Sequence, residues 1–149
     1  MMSGLYITMT AVQLNSIGAG GGTHVRLDPI SGRLKVGPTS AESVPGPVCY
    51  DRGGEIPTVT DCDLVLGYLD PEYFLGGTSD LRINKEKAEQ HLREQVAGPL
   101  GISAAETALG VKEIIDFQMR DAILGMVMSR GYSISDYHLL AFGEIYKNY

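Results

Sequence analysis

The residues of this sequence with the most chemical promise cluster around "NSIGAGGGTHVR", residues 15–26. Gly20, Gly21 and Gly22 follow one another, and Thr23 and His24 come next. Glycine tolerates φ > 0, so such a run can curl until successive N–H groups converge and bind an anion such as phosphate. The same freedom also builds ordinary tight turns. Neither a Gly-Lys-Ser/Thr continuation nor a following helical stretch is present, so the run matches neither the Walker loop nor the dinucleotide fingerprint. The local chemistry favours a structural turn. Thr23 offers a hydroxyl to a phosphate or to the closing of that turn. His24 offers a phosphate or carboxylate contact, or is an exposed strand histidine; a lone histidine carries no ligand spacing, and the second reading is preferred.

A second set of polar residues lies downstream. Arg52 in "CYDRGG" can pair with Asp61 or with an anionic substrate, and the ion pair with Asp61 is the preferred reading. Asp61 and Asp63 fall in the first turn of a predicted helix, where carboxylates offset the helix dipole without catalysis. Cys49 and Cys62 could join His24 and Asp61 around a metal, but no CxxC or HxxxH spacing supports it. Small buried thiols are expected and no metal is assigned.

These residues need a scaffold. The chain has 149 residues, 44% hydrophobic and 20% charged, with mean hydropathy near zero. That is enough for one domain with a core. The net charge of −6 and pI near 4.9 run against nucleic-acid binding, which demands a basic surface. No apolar run is long enough for a bilayer, and the N-terminus has neither the basic start nor the apolar core of a secretion signal. Two cysteines fit a reducing cytoplasm, which is the expected location.

The 19 glycines and seven prolines lie mostly before position 78. Residues 1–78 therefore read as a glycine/proline-rich strand-and-loop half, and residues 79–149 as a helical half with a terminal strand. "LYITMTAV" (5–12) is a predicted strand. "HVRLD" and "RLKV" form a predicted hairpin around "PISG". Residues 36–57 carry four prolines and four glycines and read as an ordered irregular loop. Thr60 is the expected N-cap of the next helix, with Asp63 as capping-box partner and Gly67 as its stop. Pro71 is placed to start a short helix. Asn84 caps a helix carrying Ala88, Leu92 and Val96, ending near Gly98-Pro99. Ser103 and Glu106 form a capping box for a long helix striped with Ala108, Val111, Ile115, Met119, Ala122 and Met126. It closes at Arg130-Gly131. A second edge of Leu109, Ile114, Ile123 and Val127 predicts two buried faces on a helix roughly 40 Å long. The methionines on it, Met119, Met126 and Met128, are expected as core or interface filler. "YHLLAF" (137–142) reads as a buried strand, and a core strand so near residue 149 predicts missing sequence.

Taken together, "SIGAGGGTHVRLD", "LKVGPTSAESVPGPVCYDRGG", "PTVTDCDLVLGYLDPEYFLGG" and "RGYSISDYHLLAFG" closely resemble one continuous block of the hydantoinase A/5-oxoprolinase family. That family includes ATP-dependent acetone and acetophenone carboxylases. The resemblance runs from about Leu14 to Gly143 in the same order and spacing. It implies an α/β fold, part of an actin-like (ribonuclease H-like) ATPase domain, with residues 1–149 a single incomplete hydantoinase A-like domain. It also implies ATP and Mg²⁺ at the level of a complex, bound mainly by a partner subunit, and no biotin. Gly20, Gly21, Gly22 and Thr23 would lie near the nucleotide phosphates. The shared TVTD segment marks Asp61 as the likelier functional carboxylate in the family's sense, organising the loop around Arg52, with His24 beside them.

The family's phosphate loops lie upstream of the glycine run and nothing here corresponds to them. Its adenosine-side Phe-Gly-Gly-x-Gly-Pro reads "FGEIYK" here, with Glu144 adding bulk and charge. The chain alone is therefore not expected to bind ATP. The implied partners are larger hydantoinase A-like and hydantoinase B-like subunits. The implied function is that of a small subunit of a biotin-independent, ATP-dependent ketone carboxylase. A subunit of a cyclic-amide hydrolase and a non-catalytic assembly subunit are the alternatives.

Overall fold

The structure is a computed structural model that describes residues 14–77 and 81–140. Strand β1, Thr23–Leu27, pairs antiparallel with β2, Leu34–Ser40, through Val25↔Val36, Arg26↔Lys35 and Leu27↔Leu34. The hairpin expected from the alternating pattern is present. Its turn is held by Asp28, whose Oδ1 accepts from the amides of Ile30 and Ser31 at 3.1 and 2.8 Å. The register slips between Thr23 and Val25, where β2 bulges through Gly37. Gly37 has φ +74°, and a Cβ there would lie 3.1 Å from the Thr23 methyl and 3.2 Å from Gly18 O, so only glycine fits.

Helix α1, Val59–Leu66, begins two residues earlier than the sequence reading places it. Thr58, not Thr60, is the N-cap, and Asp61, not Asp63, completes the capping box. The cause is long-range: Thr58 bridges to His24, and Val25 N donates to Pro57 O at 2.7 Å, which holds residues 57–58 extended against β1. Gly67 ends the helix at φ +83° as expected. No helix starts at Pro71; residues 74–77 form a short 3-10 turn instead.

Asn84 caps α2, Lys85–Leu92, by accepting from Lys87 N at 3.0 Å. The chain then runs through a π turn, Arg93–Ala97, into one further turn, α3, Gly98–Leu100, and stops at Gly101 with φ +70°. Pro99 has no N–H for the carbonyl four residues back, and Gly98 N donates to Arg93 O five residues back. Helix α4 spans Ala104–Met128, opened by the Ser103–Glu106 capping box. Arg130 Nη1 donates to Met126 O at 3.0 Å and Gly131 follows at φ +75°.

The main core lies between the hairpin (Val25, Val36), α1 (Val59, Cys62), the end of α2 (Leu92), the π turn (Val96) and the first half of α4 (Ala104, Ala108, Val111, Ile115). A smaller cluster of Cys49, Leu64, Phe74, Ile83 and Ala88 packs on the far side of α1. The α4 stripe is buried only as far as Ile115, while Met119, Ala122 and Met126 are half-buried. Leu109 on the second edge is 49% exposed, so α4 does not bury two faces among the described residues. The expected strand 5–12 lies outside the described residues, as do Phe142 and Glu144. Of the strand expected over 137–142, residues 137–140 have no regular structure, and Leu139 and Leu140 are exposed. No helix of the described residues is long and apolar enough to cross a membrane.

Candidate functional site

Asp61 organises the centre of the molecule. It is fully buried, and its carboxylate accepts four hydrogen bonds. Cys49 N donates to Oδ1 at 2.7 Å. Val48 N, Thr58 N and Thr58 Oγ1 donate to Oδ2 at 3.2, 2.8 and 2.8 Å. One carboxylate thus ties the "PGPVCY" loop to the N-terminus of α1. Arg52 is not its partner: it is exposed and makes no salt bridge among the described residues. Backbone amides supply the positive dipoles that a guanidinium was expected to supply. In that loop it is Asp51 that pairs, with Lys87 of α2.

The glycine run is anchored on this frame through its carbonyls. Gly20 O accepts from Thr23 N at 3.0 Å, Gly21 O from Thr60 N at 2.8 Å, and Gly22 O from Ala41 N at 2.8 Å. Thr23 is buried, its Oγ1 accepting from Gly20 N at 3.0 Å and donating to Gly18 O at 3.3 Å. Its hydroxyl closes the turn. With the carbonyls facing inward, the amides of Gly21 and Gly22 find no acceptor among the described residues. A Cβ on Gly21 would lie 2.6 Å from Thr60 Oγ1 and one on Gly22 2.9 Å from Ser40 Oγ, whereas one on Gly20 would meet nothing within 4 Å. A side chain at Gly21 or Gly22 would therefore have to displace the Thr60 or Ser40 hydroxyl, whereas Gly20 faces open space.

His24 points to the other side of the hairpin. Its Nδ1 lies 3.2 Å from Thr39 Oγ1, and burial, then the Arg26 charge, lower its pKa. It borders a cavity of about 370 Å³ with Glu42 and Glu55. The structure thus joins Gly20–Thr23 to Asp61 through Thr60 and Thr58; the His24 backbone bridges to Thr58, but its side chain and that of Arg52 stand apart from that centre. Cys49 and Cys62 are buried free thiols, their pKa values pushed far up by burial and then by Asp61. Among the described residues no three His, Cys, Asp or Glu side chains are grouped to hold a metal ion.

A further cavity of about 410 Å³ opens between the glycine turn, α1 and α4. Gly20 and Gly21 form one edge, and Val59, Leu69, Phe74, Ile115 and Met119 supply apolar walls. Asp63, Lys112 and Thr60 are polar groups on its lining. Lys112 Nζ lies 4.0 Å from Asp63 Oδ1, 3.6 Å from Asp116 Oδ1 and 5.8 Å from the centre of the Tyr68 ring. Asp63 Oδ1 is out of contact with solvent and accepts no hydrogen bond. Burial raises the Asp63 pKa, the Lys112 charge lowers it, and Asp116 raises it further. Sequence reasoning passed over this pair, treating Asp63 as a dipole-offsetting carboxylate. The available signal was Lys112, the sole basic residue between Arg93 and Arg120 and the neighbour of Val111 on the apolar stripe.

The described residues mix helix and strand, with the glycine turn bonded to Thr60 of α1 and the start of α1 fixed by the buried Asp61 carboxylate. The chain belongs to the hydantoinase/oxoprolinase family, whose model, Hydantoinase_A, matches residues 1–144. It is 49% identical over 137 residues to the acetophenone carboxylase gamma subunit of Aromatoleum aromaticum, covering 92% of this chain and 18% of that protein. It is 42% identical over 137 residues to the caprolactamase subunit alpha of Pseudomonas jessenii, covering 92% and 19%. A nucleotide-free structure of acetone carboxylase superposes with TM-score 0.73 at 38% identity, covering 80% of this chain and 16% of that one. The chain spans about a fifth of the length of the curated relatives it matches.

Proposed function

We propose that these residues work within a hetero-oligomeric, biotin-independent, ATP-dependent carboxylase of a ketone such as acetophenone, in the cytoplasm. The observation that carries this reading is the 49% identity to the acetophenone carboxylase gamma subunit over 92% of the chain. Larger hydantoinase A-like and hydantoinase B-like subunits are the proposed partners, and the remainder of an actin-like ATPase fold comes from outside residues 1–149.

The glycine turn fits a place beside the nucleotide phosphates. The Gly21 and Gly22 amides are donors without acceptors among the described residues, and Gly20 leaves room for a ligand to approach the backbone. Mg-ATP, when bound, would supply the phosphoryl group that activates an oxygen of bicarbonate or of the substrate. The Mg²⁺ ligands are assigned mainly to the partner; among the described residues no three His, Cys, Asp or Glu side chains are grouped around one point. The role of this chain is to hold the turn rigid: Thr23 closes it, Thr60 ties it to α1, and Asp61 fixes α1 to the Val48–Tyr50 loop.

A second reading, ATP-dependent opening of a cyclic amide, draws support from the 42% identity to the caprolactamase subunit. Product analysis separates the two. The intact assembly, given Mg-ATP, acetophenone and labelled bicarbonate, should yield a labelled β-keto acid. Absence of label, together with an amino acid formed from a lactam, would replace the first reading by the second.

A further inference from the structure

The hairpin has one covered edge and one open edge among the described residues. On the covered side of β1, Val25 N donates to Pro57 O and His24 bridges to Thr58. Because the Val25 amide turns away from β2, Val25↔Val36 is a non-hydrogen-bonded pair, and Val36 turns its own amide and carbonyl outward. Asp28 N bonds to Arg33 O, so the same alternation turns Leu34 outward too. Val36 O accepts from Gln118 Nε2 of α4 at 3.3 Å, but Leu34 O and Val36 N have no partner among the described residues. Those two groups are the ones that a single residue of a parallel neighbour bridges, its N–H meeting the carbonyl and its C=O the amide. An antiparallel neighbour pairs with both groups of one residue, and at Val36 Gln118 already holds one. A groove of about 560 Å³ runs along this edge, lined by residues 34–38, by Ile17 and by Ile114 and Gln118 of α4.

The chain itself leads into the groove. A Cβ on Gly18 would lie 3.4 Å from Pro38 O and one on Gly37 3.2 Å from Gly18 O, so the backbone crosses β2 at its bulge. Thr23 lies in β1 on one side of the crossing, and Ile17 lines the groove on the other. Upstream stands "LYITMTAV", residues 5–12, outside the described residues, in which Leu5, Ile7, Met9 and Ala11 alternate with Tyr6, Thr8 and Thr10. Such an alternating segment needs an edge to pair with and an apolar surface to cover.

We propose that residues 5–12 dock on the open edge of β2 as a third, parallel strand and so anchor the glycine turn from its N-terminal side. The direction agrees with the free hydrogen-bonding groups, because a segment that leads to Ile17, beside Gly37 and Pro38, runs the same way as β2. Neighbours in a parallel pair point to one face. Thr8 or Thr10 therefore stands beside the exposed Lys35, and the Leu5, Ile7, Met9 and Ala11 face lies with buried Val36 against Ile114. Residues 17–19 are then held on both sides, and the glycine turn is tied at its start as Thr23 and Thr60 tie it further on. The inference goes beyond the proposed function and is the same for either reaction.

NOEs and amide exchange measured by NMR on the full chain test it. NOEs should connect residues 5–12 with residues 34–36, and the Val36 amide should be protected. Ile7→Glu combined with Met9→Glu charges the apolar face and should speed Val36 exchange by about tenfold or more, while the Lys35 amide, bonded to β1, stays protected. Thr8→Glu combined with Thr10→Glu adds the same charge to the other face and should leave Val36 protected. Where the Ile7 and Met9 variant does not fold, the NOEs of the unaltered chain decide. An unprotected Val36 amide, protection that survives charging Ile7 and Met9, or an equal loss on charging Thr8 and Thr10 would overturn the assignment. Protection that rises with protein concentration would give the edge to a second copy and overturn it as well.

Discussion

Replacing Asp61 by alanine should be among the most damaging single changes in the chain. The carboxylate accepts from three buried backbone amides, those of Val48, Cys49 and Thr58, and from the Thr58 hydroxyl. The hydroxyl can turn elsewhere, but the amides cannot. Each buried donor left unsatisfied costs about 1–3 kcal/mol, so three of them put the loss near 3–6 kcal/mol if some water enters the hole. That is roughly a third to a half of an ordinary domain's stability of about 10 kcal/mol. Asp61→Asn should cost about half as much. Three of the four bonds converge on Oδ2, so an amide oxygen placed there keeps them, and only the Cys49 amide faces the new NH₂. Urea denaturation gives the free energies, and amide exchange at Cys49 and Thr58 shows whether the loss is local. An Asp61→Ala protein that loses less than about 1 kcal/mol and keeps both amides protected would refute the reasoning.

Two further outcomes follow from packing and burial. Gly54→Ala should destabilise by about 1–3 kcal/mol, because its Cβ would sink into Gly46 O and lie 2.9 Å from Pro47 O; a thermal melt matching the parent would contradict this. Asp63→Asn should stabilise the protein at pH 7. The folded-state pKa of Asp63 is raised by burial, so its ionised form opposes folding above that pKa, and protonation relieves the cost as pH falls through it. The gain from asparagine should therefore shrink on acidification and vanish below the unfolded-state pKa. Denaturation of both proteins from pH 7 to about pH 3 measures it, and a variant less stable at pH 7 than its parent would reverse the sign.

The sequence carried the local signals well and the long-range ones poorly. Ser103 with Glu106, Asn84, Gly67 and the 24–36 hairpin are written in neighbouring residues, and the structure has each of them. The cap of α1 was ambiguous because "TVTDCD" contains Thr-x-x-Asp twice, at 58–61 and at 60–63. The bridge from Thr58 to His24 chooses between the two frames, and it spans 34 residues of sequence separation that no local pattern encodes. Asp61 was singled out by resemblance, but its partners, amides 12 and 13 residues upstream, carry no side-chain signature. Arg52 looked like the natural partner because charge is visible in a sequence and backbone direction is not. The apolar stripe of α4 continues to Met126, yet among the described residues none of it beyond Ile115 is fully buried, a limit set by what packs on the helix rather than by its own pattern. Asp63 and Lys112 meet across two helices, so their pairing appears only in the fold.

The central claim, that the glycine turn stands beside a ligand in an ATP-dependent assembly, is tested most directly at Gly20. A Cβ there meets no atom within 4 Å, so Gly20→Val grows into open space without disturbing the packing that fixes Gly21 and Gly22. The measurement is Mg-ATP-dependent turnover of the intact assembly carrying this variant, beside its melting temperature and its subunit composition. The account predicts turnover lowered by about tenfold or more at an unchanged melting temperature and composition, the effect of a side chain placed where backbone must approach a ligand. Full turnover in a normally assembled Gly20→Val protein would contradict it and leave the turn a purely structural element.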